Sequence, residues 1–185
     1  MTPEEQALAD IIGLFRELGV PFMLTGSVAA SYHGRPRATH DADVVIDPAP
    51  AQLDALVAAL EARGFYVDPE AARRALRDRT LFNVIETGQA CKIDLIIRRD
   101  RPFSEEEFRR RLSVDLSFAT NVSMVTAEDA ILSKLEWARR AGDSERQLAD
   151  AAGIVALNAE MDLGYIDRWS RDLDVDDLWA RIRRP

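Results

Sequence analysis

Cysteine is almost missing from this chain of 185 residues: Cys91 stands alone, so no intramolecular disulfide can form, and its place in an apolar run reads as a small buried hydrophobe. Histidine is nearly as scarce. His33 and His40 leave a transition-metal site of the His-plus-carboxylate type conceivable, but no second His or Cys stands at ligand spacing, and on a strand His40 turns away from the face of Asp41. Packing or edge hydrogen bonding is expected for both. No apolar run approaches the roughly 20 residues that cross a bilayer, which argues against a helical membrane span. The start Met-Thr-Pro-Glu-Glu lacks basic and apolar signal regions, so a cytoplasmic protein is expected. Positive charge is short as well. Lys and Arg total 24 against 32 Asp and Glu, a net charge of −8 that argues against a nonspecific nucleic-acid binder. Arg98, Arg99, Arg101, Arg109, Arg110 and Arg111 do crowd one region. Asp100 and Glu105–Glu107 dilute it, and a solvated helix face is preferred to an acceptor-binding patch. Repeats, linkers and low-complexity tracts are lacking, leaving one domain or one domain with a small appendage.

What is present concentrates in three places. Gly26-Ser27 closes the apolar segment Phe22-Met23-Leu24-Thr25 and opens an Ala-rich helix, whose free N–H groups suit an anion. Thirteen residues later Asp41-Ala42-Asp43 heads the run Val44-Val45-Ile46. On a strand, Asp41 and Asp43 share one face roughly 7 Å apart, and such a pair repels itself unless a cation, typically a hard divalent one, lies between. The third place is Cys91-Lys92-Ile93-Asp94-Leu95-Ile96-Ile97, where Asp94 in so apolar a strand is costly unless paired or metal-bound.

At these residues the chain resembles the nucleotidyltransferase superfamily of the DNA polymerase β type: Gly-Ser, a short helix, Asp-x-Asp, and a third Asp on a later strand. The resemblance implies that Asp41, Asp43 and Asp94 are catalytic and hold two Mg²⁺ (or Mn²⁺) ions, and that Gly26 and Ser27 hold the terminal phosphates of an NTP. Arg37 is read as pairing an acidic neighbour in preference to a phosphate.

Periodicity supplies the frame. Thr2-Pro3-Glu4-Glu5 caps a helix carrying Leu8, Ile11, Ile12, Phe15 and Leu18 and stopped by Gly19. A strand over 20–25 and a helix over 27–33 follow, then the Asp41 strand. A helix behind Pro48 and Pro50 buries Leu53, Leu56, Val57 and Leu60 and ends at Gly64. Residues 80–86 and 91–98 read as antiparallel strands joined across Thr87-Gly88-Gln89. A helix over 104–112, a strand over 121–125 and four further helices complete the chain, the first capped by Thr126 and the second started by Ser144.

In that helical half, Asp129-Ala130-Ile131-Leu132-Ser133-Lys134-Leu135 and Ser144-Glu145-Arg146-Gln147-Leu148-Ala149-Asp150 resemble later motifs of the bacterial AbiEii branch, many of whose members are toxins of toxin–antitoxin pairs. The resemblance implies nucleotide-binding roles for Lys134, Arg146 and Asp150; by spacing alone, Lys134 and Glu136 equally suit an exposed helix face. The expected architecture is α+β, a nucleotidyltransferase-like mixed sheet with flanking helices (1–125) followed by a C-terminal helical bundle (126–185). The expected function is Mg-dependent transfer of a nucleoside monophosphate from an NTP to a hydroxyl of RNA, protein or a small molecule, with a possible antitoxin partner and no membrane. The alternative is a non-catalytic nucleotide- or protein-binding module on the same fold.

Overall fold

The computed structural model describes residues 1–36, 41–88 and 91–183, so Arg37, His40 and Gln89 lie outside the described residues. Packing groups the chain into two compact units, Met1–Thr25 with Thr39–Met124, and Gly26–Ala38 with Val125–Pro185. No described helix is long and apolar enough to cross a membrane.

The first unit holds the sheet. It runs α1 (Pro3–Glu17), β1 (Phe22–Thr25), β2 (Asp41–Ile46), α3 (Pro50–Ala62), β3 (Phe65–Val67), α4 (Pro69–Asp78), β4 (Leu81–Glu86), β5 (Cys91–Ile97), α5 (Pro102–Arg110), β6 (Leu112–Val114) and β7 (Val122–Met124). The strands form one mixed sheet in the order β3-β4-β5-β2-β1-β7-β6. β2 pairs parallel with β5 and antiparallel with β1, which itself runs parallel to β7. Alternation decides the faces: Ala42, Val44 and Ile46 on β2 and Cys91, Ile93, Leu95 and Ile97 on β5 are buried on one side. Truncating a fully buried Leu95 to Ala costs about 2–5 kcal/mol by lost transfer energy and the cavity left behind. The α1 cap forms as read, with Thr2 Oγ1 accepting from the Glu5 N–H and Glu5 accepting from the Thr2 N–H.

Three elements were not anticipated from the sequence. β3 and β6 are three residues each, too short for periodicity to register, and α4 buries only Ala72 and Ala75. Its start was nevertheless marked, since Asp68 caps Glu70 and Ala71 ahead of Pro69.

The second unit is helical: α2 (Gly26–His33), α6 (Ala127–Arg140), α7 (Glu145–Leu157), α8 (Leu163–Asp172) and α9 (Asp176–Ile182), with α2 packed on α6 and α7. Close approach of α2 to α7 requires glycine at 34, where an added Cβ would lie 2.8 Å from the Ala30 carbonyl oxygen and 3.1 Å from the Ile154 nitrogen. His33 Nε2 bonds the Val125 carbonyl at 2.8 Å, and Asn158 Nδ2 donates to the His33 carbonyl at 2.7 Å. His33 is therefore a packing residue, as expected. At the head of α6, Thr126 Oγ1 accepts from the Asp129 N–H and donates to Asp129 Oδ2 at 2.7 Å, while the Tyr165 hydroxyl donates to Oδ1 at 2.5 Å. These hydroxyls satisfy a carboxylate with no solvent exposure.

Candidate functional site

The face of the sheet opposite the β2–β5 apolar layer carries the acids. Register aligns them across strands. Asp43 lies directly beside Asp94, Asp94 faces Asn83 on β4, and Asp43 faces Thr25 on β1, so Asn83, Asp94, Asp43 and Thr25 form one row. The next row is Tyr66, Ile85, Lys92 and Asp41. Neighbouring strands are about 4.8 Å apart and alternate residues about 7 Å. Asp41, Asp43 and Asp94 thus share one face of two adjacent strands, with Asp41 exposed and the other two half-buried.

Two partners on that face were not picked out by sequence reasoning. Lys92 Nζ lies 3.1 Å from Asp94 Oδ2, and Asn83 Nδ2 donates to Asp94 Oδ1 at 2.5 Å, so both oxygens of Asp94 are engaged. The hydrogen bond to Asp94 holds the Lys92 ammonium above its ordinary range against some desolvation, and the charges of Asp94, Asp41 and Asp43 add to it. The same-face alternation of Lys92 with Asp94 was the available signal for the first. Asn83 could be found only from the β4–β5 register. On the other side of β5, burial pushes the Cys91 thiol up, helped by Glu4, Glu86 and Asp41.

Carboxylate oxygens are the hard donors that Mg²⁺ or Mn²⁺ takes, so the donor chemistry of the three acids fits such an ion. Their side-chain positions fit less closely: among the described residues no group of three or more His, Cys, Asp or Glu is gathered as a metal site. An ion joining Asp94 to the other two would compete with the charge of Lys92 at Oδ2.

The residues expected to bind nucleotide all belong to the helical unit. Gly26, which follows Thr25 in the chain, has φ +61°, a left-handed setting that glycine adopts without strain, and Ser27 is half-buried beside it at the head of α2. Lys134 is not on an exposed helix face. Its Nζ lies 2.9 Å from Asp150 Oδ2, the two side chains being 6% and 12% exposed between α6 and α7. Arg146 is exposed one turn before Asp150 on α7. The ion pair joins two of the residues for which the resemblance implies a shared nucleotide role.

Two arginines of the rich stretch, Arg98 and Arg109, are held in ion pairs. Arg98 bonds Asp47 at 2.8 Å and lies 3.4 Å from Asp100, Arg109 bonds Glu106 at 2.7 Å, and Arg111 stacks on Phe108 at 4.3 Å. Arg98 pairs with its side chain 17% exposed, while Arg109 pairs on the surface of α5.

The sheet order, the Asp-bearing strands and the helical unit together give the fold of the nucleotidyltransferases. The chain superposes on the solution structure of the antibiotic-resistance factor ANT(2'')-Ia with a TM-score of 0.62, at 13% identity over 97% of both chains. A crystal structure of ANT(2'')-Ia in complex with adenylyl-2''-tobramycin gives 0.57 at 15% identity over 98% of both chains. An antigenic nucleotidyltransferase-like protein from Paracoccidioides brasiliensis gives 0.60 at 13% identity, covering 97% of this chain and 92% of that one. At such identities the likeness is one of fold. No family profile matches the chain, and no curated protein matches it in sequence.

Proposed function

We propose that this protein transfers a nucleoside monophosphate from an NTP to a hydroxyl acceptor and releases pyrophosphate. The observation that carries the reading is the row in which Asp43 and Asp94 lie side by side, with Asp41 on the same face, in a sheet of nucleotidyltransferase fold. Phosphoryl chemistry asks little covalent help from a protein, so positioned charge does most of the work. The acceptor oxygen bonds the α-phosphorus as the bond from that phosphorus to the pyrophosphate oxygen breaks, and the acceptor proton passes to Asp94. Asp41, Asp43 and Asp94 would hold Mg²⁺ or Mn²⁺, which when bound supplies neutralisation of the triphosphate and activation of the hydroxyl. In this reading residues 1–125 carry the chemistry and 126–185 form the helical subdomain. Gly26 and Ser27 take the terminal phosphates, and Lys134, Arg146 and Asp150 serve the nucleotide.

The finer assignment is an AbiEii-like bacterial toxin, acting in the cytoplasm and countered by an antitoxin. Its support is the α6–α7 motif pair. The first acceptor to try is a small-molecule hydroxyl, because one fold neighbour holds adenylylated tobramycin and the net charge of −8 disfavours nucleic acid. The test is incubation with each labelled NTP, Mg²⁺ or Mn²⁺, and pools of small molecules, RNA and protein, with pyrophosphate measured. Label transfer lost in Asp43→Asn supports the reading. NTP binding without pyrophosphate release from any pool overturns it in favour of the non-catalytic module, which the engagement of both Asp94 oxygens favours.

A further inference from the structure

We propose that Lys92 is a positioning residue: its ammonium is a resident, exchangeable counter-cation that holds Asp94 closed until a divalent ion displaces it. The inference rests on the metal-dependent transfer reading above, and it concerns the order in which the site assembles.

Three observations carry it. The first is geometry. Asp94 is fixed from both sides, by Asn83 at Oδ1 and by Lys92 at Oδ2. Of the two charged partners the carboxylate is the more shielded, its side chain 16% exposed against 40% for Lys92. The ammonium, on a flexible four-carbon stem already half in water, is the partner that leaves at little cost. The second is charge placement. Asp43 and Asp94 are like charges in direct register, an arrangement that destabilises the sheet, and Lys92 sits opposite Asp41 and two residues before Asp94. It partly neutralises the cluster in place of metal. The third is residue choice. The chain has two lysines, Lys92 and Lys134, and every other basic residue is arginine. A guanidinium could clasp Asp94 with two parallel hydrogen bonds and would be hard to dislodge, whereas an ammonium makes one point contact.

The consequence is competition. The Lys92 ammonium at Oδ2 competes by charge with a divalent ion for Asp94, so the protein without substrate holds such an ion weakly. The experiment measures Mn²⁺ alone binding to the full chain, by titration calorimetry and by paramagnetic resonance of free Mn²⁺, in wild type, Lys92→Met, Lys92→Arg and Asp43→Asn. Removing a unit charge about 6 Å from a divalent ion in a water-like dielectric should tighten Mn²⁺ binding about tenfold in Lys92→Met. Lys92→Arg, which keeps the charge and clasps Asp94 more firmly, should bind Mn²⁺ no better than wild type. Lys92→Met should also gain more melting temperature from Mn²⁺ than wild type does. Asp43→Asn separates the two levels of the argument. Wild-type affinity in Lys92→Met, with binding lost in Asp43→Asn, overturns the role of Lys92 and leaves the metal reading standing. Equal tightening in Lys92→Arg and Lys92→Met also overturns it. Mn²⁺ binding that survives unchanged in Asp43→Asn, or is undetectable in every variant, removes the metal reading and this inference with it.

Discussion

Both lysines of the chain pair with aspartate, and the two pairs differ in almost every respect that matters. Lys92–Asp94 spans two residues of one strand at 3.1 Å, with the ammonium side chain 40% exposed. Lys134–Asp150 joins two helices across sixteen residues at 2.9 Å, with both side chains close to fully buried. Exposed pairs are screened by water and typically contribute 0–1 kcal/mol. In a buried pair each charge has lost its hydration, and removing one partner strands the other at a cost of about 3–5 kcal/mol. Burial therefore makes one pair replaceable and the other a fixture of the α6–α7 interface.

The sharpest way to break that contrast is thermal melting. Lys134→Met should lower stability by about 3–5 kcal/mol, a drop on the order of 10 °C in a chain of this size. Lys134→Met with Asp150→Leu should recover most of it, because no charge is then left stranded. A single mutant that melts like wild type would put the buried pair on the same footing as Lys92. A Lys134→Arg variant that melts normally yet binds NTP more weakly would add a nucleotide role to the structural one.

Next in size, Asp94→Asn should cut pyrophosphate release about 10²–10³-fold, the loss typical of a positioned charge. The same change should move the melt by no more than about 1 kcal/mol, since its pair is half-exposed. An equal loss of nucleotide affinity would show that Asp94 holds the donor instead of serving the acceptor.

Lys92→Met in chelator should cost no more than about 1 kcal/mol, with its direction set by the carboxylates left facing one another. A loss as large as that of Lys134→Met would erase the comparison.

The smallest effect belongs to His33 in the helical unit. Burial is the main cause of its lowered pKa, opposed by its bond to the Val125 carbonyl and by the charge of Glu128. Below its ordinary value near 6.5 the unfolded chain takes up a proton that the folded chain resists, so stability is complete above that pH and declines as pH falls toward the folded value. His33→Gln should flatten that acid limb in melts between pH 7.5 and 5. An unchanged slope would mean that other groups set it.

Much of the sheet was legible because a strand has a period of two. That period alone set Asp41 and Asp43 on one face, and Lys92 with Asp94 on another strand's face, opposite Ala42, Val44, Ile93 and Leu95. Helix starts were equally open to reading, since Thr2 and Thr126 are caps whose partners lie three residues away. β3 and β6 were not, being too short to leave a periodic mark, and α4, although capped by Asp68, has only the small residues Ala72 and Ala75 buried.

Sequence by itself therefore determined which residues could face together within each element, because local backbone geometry decides that. It identified the three carboxylates, and the strand period of two put Lys92 on the face of Asp94 without singling that lysine out. Only the tertiary structure decided the rest: that β5 lies parallel beside β2 so that Asp43 meets Asp94, that Asn83 takes one oxygen of Asp94, and that Lys134 is buried against Asp150. Register and helix packing join residues distant in the chain, and their energy comes from apolar surface removed from water across whole faces, a quantity that no local pattern of residues contains.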